Sequence, residues 1–286
     1  MNKIIRRLLT FFIGIPLVVL IVYFNPYNHL VLHCAITVFS CISSAEIYNL
    51  LNKNIPMQKK WVVVGLSTLI PISTYACILF NLDFVISTLV FLASFMILLI
   101  MEIFAPNPQN QDNPFADSNK KVVGSLFVLL YGGYLLSFLS RMTIFPHSRE
   151  YIITFLILVF MCDSAAWFFG VLFGKGNRGF VKASPNKSIV GFIGGIIGSI
   201  VSGIFCTLIW PDIFTGSLWR MVVLGVCVAI AAILGDLAES VFKRSAGEKD
   251  SGNIIPGRGG ALDSIDSILM AAPLFYFVAG LLFTKL

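Results

Sequence analysis

Residues 235–267 read GDLAESVFKRSAGEKDSGNIIPGRGGALDSIDS. Apolar runs over 218–242 and 268–284 flank this window, the first overlapping its start. Each run is close to the ~20 residues that carry a helix across ~30 Å of hydrocarbon. Within the window lie Asp236, Glu239, Glu248, Asp250, Asp263 and Asp266, together with Lys243, Arg244, Lys249 and Arg258. Two membrane spans joined by a segment dense in both signs of charge is the pattern that decides the fold, and the rest of the chain repeats its apolar half.

Outward from the window, apolar runs recur at 8–24, 29–51, 61–82, 84–104, 122–140, 150–174 and 188–210. The 286 residues are 57% hydrophobic and only 12% charged, with a strongly positive mean hydropathy. A soluble domain carries roughly a quarter charged residues. The short alternating segments of a membrane barrel are missing. The reading is an all-α polytopic integral membrane protein of about nine transmembrane helices. MNKIIRRLLTFFIGIPLVVLIVYF (1–24) has basic residues before a long apolar run and no small-residue cleavage site after it, so it reads as a retained first span. The six cysteines fall inside apolar runs with no CxxC pair, which points to packing, and the three histidines form no ligand cluster.

Positive charge sets the orientation. Sixteen of the 20 Lys and Arg residues fall on alternate ends of the spans, including the 235–267 window. That asymmetry places the N-terminus and the charged window in the cytoplasm. The loop APNPQNQDNPFADSNKK (105–121) divides an N-terminal bundle, residues 1–121, from a C-terminal region, residues 122–286, that holds the unusual chemistry. In the N-terminal part, Glu46 and Glu102 read as interface residues at cytoplasmic helix ends. In the C-terminal part, Gly191, Gly195, Ser199 and Gly203, with Gly194, Gly198 and Ser202, form two small-residue stripes suited to close helix packing, within one subunit or between two.

Asp163 sits in the middle of a span, where a carboxylate costs roughly 2.5–3.5 kcal/mol and should face a polar cavity or a cation. Asp236 and Glu239 make the same case at the end of another. Asp236, Ser240 and Lys243 or Arg244 share one helical face, and Asp263 and Asp266 share another if the last helix starts near Leu262. The glycines and Pro256 of the intervening loop break any helix, and Gly259-Gly260 allows backbone N–H groups to close on an anion. One or two carboxylates plus substrate phosphates hold Mg²⁺ well. The residues therefore point to Mg²⁺-dependent chemistry on a phosphate compound at the membrane face.

The string SVFKRSAGEKDSGNIIPGRGGALDSID (240–266) resembles the signature of the phosphatidate cytidylyltransferases, the CDP-diacylglycerol synthases. Ser240, Phe242, Lys243, Arg244, Lys249, Asp250, Gly252, Gly259, Gly260, Asp263, Ile265 and Asp266 match it in residue and spacing. CDSAAWFFGVLFGK (162–175) is similar to the family's Asp-Ser-x-Ala-aromatic helix, and SPNKSIVGFIGG (184–195) to its Ser-Pro-x-Lys-Thr-x-Glu-Gly loop. Arg258 stands for the usual histidine, Ser264 for arginine, Ala261 for a larger apolar residue and Val190 for glutamate.

The resemblance implies transfer of CMP from CTP to phosphatidate, giving CDP-diacylglycerol and pyrophosphate. It implies Asp236 and Asp263 as principal metal ligands, with Asp266 assisting, for Mg²⁺ and a second cation. Lys243, Arg244, Lys249 and Asp250 would be catalytic. Asp163, Ser184, Lys187, Ser240, Arg258, Gly259 and Gly260 would bind CTP and phosphatidate. The implied partners are CTP, phosphatidate from the inner leaflet, membrane lipids and a second copy of the chain, with no nucleic acid. The implied place is a bacterial plasma (inner) membrane, with the site facing the cytoplasm. A CTP-dependent lipid or polyprenol kinase and an ion-coupled transporter remain as alternatives.

Overall fold

Backbone N–H and C=O groups in hydrocarbon must be satisfied inside the chain, which for apolar runs of this length means helices. The computed structural model describes residues 14, 16–104, 113–255 and 257–284. Among them there are eight helices long and apolar enough to cross a membrane, and no β-strand beyond two isolated bridges. We label the helical residues 16–23 α1, then α2 (Leu30–Leu51), α3 (Lys60–Leu79), α4 (Val85–Phe104), α5 (Ser118–Ile144), α6 (Ser148–Phe173), α7 (Ile189–Ile209), α8 (Trp219–Ser245) and α9 (Leu262–Thr284). Most of the expected first span, 8–24, lies outside the described residues.

Three helices outrun their apolar stretches. α5 spans Ser118–Ile144 against the expected 122–140, α8 continues to Ser245, and α9 starts at Leu262, ahead of its apolar run at 268 and where a shared face for Asp263 and Asp266 requires it. Hydropathy marks where hydrocarbon stops, whereas a helix continues as long as its terminal N–H and C=O groups find partners. At the start of α9 those partners exist, and they prove central to the site.

The glycine stripes of α7 are used within the chain. A Cβ at Gly191 would sit 2.8 Å from the Ala166 carbonyl oxygen and one at Gly195 3.0 Å from that of Cys162, so α6 and α7 touch backbone to backbone. Further along α7, the Ser199 hydroxyl ties it to α8 by donating to the Gly225 carbonyl at 3.0 Å. α2, α3 and α5 are joined by serines: Ser44 and Ser67 bond at 2.8 Å, and the Ser40 hydroxyl donates to the Gly132 carbonyl at 2.8 Å. Gly132 belongs to a π-helical turn, Leu129–Tyr134, which alters the backbone pairing and makes such a side-chain donor useful. Outward faces are apolar, with Leu92, Met96 and Ile100 of α4 all exposed, as a lipid-facing surface requires.

Candidate functional site

The site is built where α8 and α9 cross. Gly235 lies against the Asp266 carbonyl so closely that a Cβ would collide with it. That contact brings Asp236 and Glu239, on the next turn of α8, beside Asp266 on the second turn of α9. One carboxylate oxygen from each of the three lies within 4.8 Å of the others. Glu239 is fully buried, and its Oε1 has no hydrogen-bond partner among the described residues. A buried, unsatisfied carboxylate oxygen is costly unless something positive meets it. Three hard oxygen donors with one of them orphaned form a group that could hold a metal ion.

Two lysines oppose this charge. Lys187 pairs with Asp236, and Lys243 lies 2.6 Å from Glu239 and 2.5 Å from Asp263. Lys187 is placed by its neighbour: Ser188 is the N-cap of α7, its hydroxyl accepting from the Gly191 N–H at 3.0 Å. Arg244 donates to the carbonyls of Ala183 and Glu248, joining the two loops that the sequence motifs occupy.

Asp263 occupies a different position from Asp266. Its Oδ2 accepts from the Ser251 N–H at 2.8 Å, the Ser251 hydroxyl at 2.9 Å and the Gly260 N–H at 2.7 Å, while Oδ1 faces Lys243. The anion on which the Gly259-Gly260 backbone closes in this structure is thus the chain's own Asp263. Gly259 takes a φ of +112°, a conformation that favours glycine, and its N–H donates to the Ile255 carbonyl. Pro256 lies outside the described residues.

The remaining motif residues ring this centre. Ser240 is buried on α8, Ser184 is half-buried in a turn whose carbonyl accepts from the Lys187 N–H, and Lys249 and Asp250 are exposed on the loop. Asp163 and Arg258 line one groove of about 640 Å³, with Met161, Trp167, Phe168 and Phe169 among its other walls. Ser267, adjacent to Asp266, donates to Asp163 at 3.4 Å and so connects the groove to the acidic cluster.

Two participants had no role in the sequence reading. Glu239, whose depth in the span calls for a polar cavity or a cation but which the motif does not assign to a ligand set, completes the acidic trio; its i, i+3 spacing from Asp236 is the available signal. Tyr131 is buried on the π turn of α5, and its hydroxyl reaches the Gly235 carbonyl at 3.4 Å. Nothing in LLYGGY alone reveals that reach. Glu46, read as an interface residue, is buried and accepts from Ser251, Ala261 and Leu262.

With this geometry in place, similarity to known proteins acquires a structural meaning. A phosphatidate cytidylyltransferase of Staphylococcus haemolyticus is 43% identical over 125 residues, covering 44% of this chain and 47% of that protein. One from Haemophilus influenzae is 39% identical over 160 residues, covering 54% of each. A third, from Synechocystis, is 37% identical over 186 residues, covering 55% of this chain and 62% of its own. The chain spans about half the length of these relatives. The family model described as the cytidylyltransferase family matches residues 5–282, nearly end to end, and the chain belongs to that family.

Proposed function

We propose that the protein transfers CMP from CTP to phosphatidate, forming CDP-diacylglycerol and pyrophosphate. The observation that carries this reading is the trio Asp236, Glu239 and Asp266, faced by Lys187 and Lys243 and joined through Ser267 to a groove walled by apolar side chains. Such a place suits a polyphosphate on one side and a lipid phosphate on the other. The names of the relatives support the same substrates.

In the reaction, a phosphate oxygen of phosphatidate bonds to the α-phosphorus of CTP, and the bond from that phosphorus to the bridging oxygen breaks, releasing pyrophosphate. A phosphate monoester has its second pKa near ~6 and is largely a dianion at neutral pH, so no general base is needed. The protein's task is positioning and charge stabilisation. Asp236, Glu239 and Asp266 would hold Mg²⁺, with a second cation in the same region. When bound, the metal supplies neutralisation of phosphate charge. Lys187, Lys243, Arg244 and Lys249 meet the charge that grows on the departing pyrophosphate. Arg258 and Asp163 flank the lipid groove, with Trp167 and Phe168 beside the acyl chains. Asp263 holds Lys243 and the loop of Asp250, Gly259 and Gly260 in register, and Ser184 and Ser240 border the nucleotide.

The same proposal has catalysis in residues 122–286, supported by the bundle of 1–121, with the N-terminus and the site on the cytoplasmic side of a bacterial plasma membrane. A pair of chains would have to meet through a surface other than the glycine stripes, which pack inside the chain.

The test uses purified protein in detergent with phosphatidate, labelled CTP and Mg²⁺, following lipid-linked cytidine and pyrophosphate together. Both should appear in equal amounts, stop on chelation, return with Mg²⁺, and fall about 100-fold or more in Asp266→Asn. Soluble CDP formed with a lipid alcohol would identify a kinase instead. Absence of nucleotide turnover would remove the enzymatic reading.

A further inference from the structure

Glu46 is a buried carboxylate on α2, and no Lys, Arg or His pairs with it among the described residues. Its charge is met by three donors far along the chain. The Ala261 N–H donates to Oε1 at 3.1 Å and the Leu262 N–H to Oε2 at 2.8 Å, and the Ser251 hydroxyl, which shares its single proton with Asp263, lies 3.1 Å from Oε2. Those backbone donors belong to the start of α9, where a helix leaves N–H groups without internal partners and its dipole favours an anion. The residue at the N-cap position, Ala261, makes no side-chain cap. Glu46 therefore caps α9 from another helix.

The fit is close on every side. A Cβ at Gly252 or at Gly260 would run into the Glu46 carboxylate, so the loop approaches it as only glycine can. Ser251 bridges outward, its hydroxyl lying between Glu46 and Asp263, and Asp263 in turn faces Lys243. The end of α2 adds two further ties. Lys53 pairs with Glu248, and the Asn54 amide donates to the Ser245 carbonyl at 2.5 Å. One helix of the N-terminal half thus holds the segment 245–262 at both ends.

We propose that Glu46 is a positioning residue: by capping α9 and anchoring Ser251, it sets the register of Asp263, Lys243 and Asp266 for the reaction. This rests on the transferase reading given above. The experiment is amide hydrogen exchange on the full chain in lipid nanodiscs, paired with kcat and KM for CTP, for wild type, Glu46→Ala, Glu46→Gln and the control Glu102→Gln. In Glu46→Ala, peptides across 251–264 should exchange about 10-fold faster or more, while α6 and α7 keep their protection. The value of kcat should fall about 10- to 100-fold, with a smaller change in KM, because geometry and not binding is lost. Glu46→Gln keeps one acceptor oxygen and should fall between; Glu102→Gln should match wild type. Should Glu46→Ala fail to fold, Glu46→Gln carries both readouts. Wild-type exchange and kcat in the Glu46 variants would overturn the inference, and so would loosening spread evenly over all helices. A wild-type protein that makes no CDP-lipid would overturn the functional reading itself, a different result from an active enzyme indifferent to Glu46.

Discussion

Lys243 pairs with two carboxylates of the site at once. It is largely enclosed, with 13% of its side chain exposed, and lies between Glu239 and Asp263. Breaking a buried ion pair by removing one partner leaves uncompensated charge and costs about 3–5 kcal/mol. Lys243→Met should therefore lower stability by a large part of that amount in a chemical-denaturation or thermal assay. Adding Asp263→Asn to Lys243→Met should restore part of it, since the second substitution removes one of the stranded charges. An additive loss would mean that the two residues do not share the interaction. At this scale the sequence supplied the residue types and spacing but not the partners. Lys243 to Glu239 is an i, i+4 pair that any helical wheel shows, whereas Lys243 to Asp263 crosses a loop of glycines whose path no local rule specifies.

At the scale of elements, the α8–α9 crossing governs the site. The Gly235 position lets α9 approach until Asp266 meets Asp236 and Glu239. Gly235→Val places a branched side chain against the Asp266 backbone, so the helices must part. Overpacking of this kind costs about 1–3 kcal/mol. The sharper expectation is catalytic: CDP-lipid formation should fall much further than stability, and raising Mg²⁺ should recover little. A Gly235→Val protein with full activity would place the working carboxylates elsewhere. Most helices were legible from hydropathy to within a few residues, because span length is set by bilayer thickness. The start of α9 near Leu262 was legible only as the condition under which Asp263 and Asp266 share a face, because the hydrogen bonds that hold its first turn are accepted by Glu46, about 215 residues away.

For the whole molecule, the distribution of cations argues for one orientation. On the side with few of them, Arg141 is buried over the rings of Phe84, Tyr134 and Phe138, Arg149 lies over the Tyr23 ring and Arg220 donates to the Leu282 carbonyl, so each of these three cations has a partner. The other side carries the loop with Lys249 and Arg258, both exposed. Cysteines introduced at exposed Lys249 and Asp212, in a chain with its six native cysteines replaced, report this directly. A membrane-impermeant maleimide should label Lys249→Cys in inside-out vesicles and Asp212→Cys in right-side-out ones. The reverse pattern would put the site on the face without CTP and defeat the proposed reaction.

Amino-acid order alone was enough to read the membrane class, the helical fold, the approximate spans and the unusual charge of the 235–267 window. Each follows from composition and short-range periodicity: hydrocarbon admits no unsatisfied backbone, and mixed charges gathered beside two apolar runs stand out against a chain only 12% charged. Only the tertiary structure decided that Glu239 completes the acidic trio, that Asp263 is held by Ser251, Gly260 and Lys243, and that Glu46 caps the last helix. Those outcomes depend on which helix faces bury against one another. Gly235 lies so close to the Asp266 carbonyl that a single added methyl group would collide with it, and Gly252 and Gly260 crowd the Glu46 carboxylate; such contacts are a property of the assembled bundle, not of any segment within it.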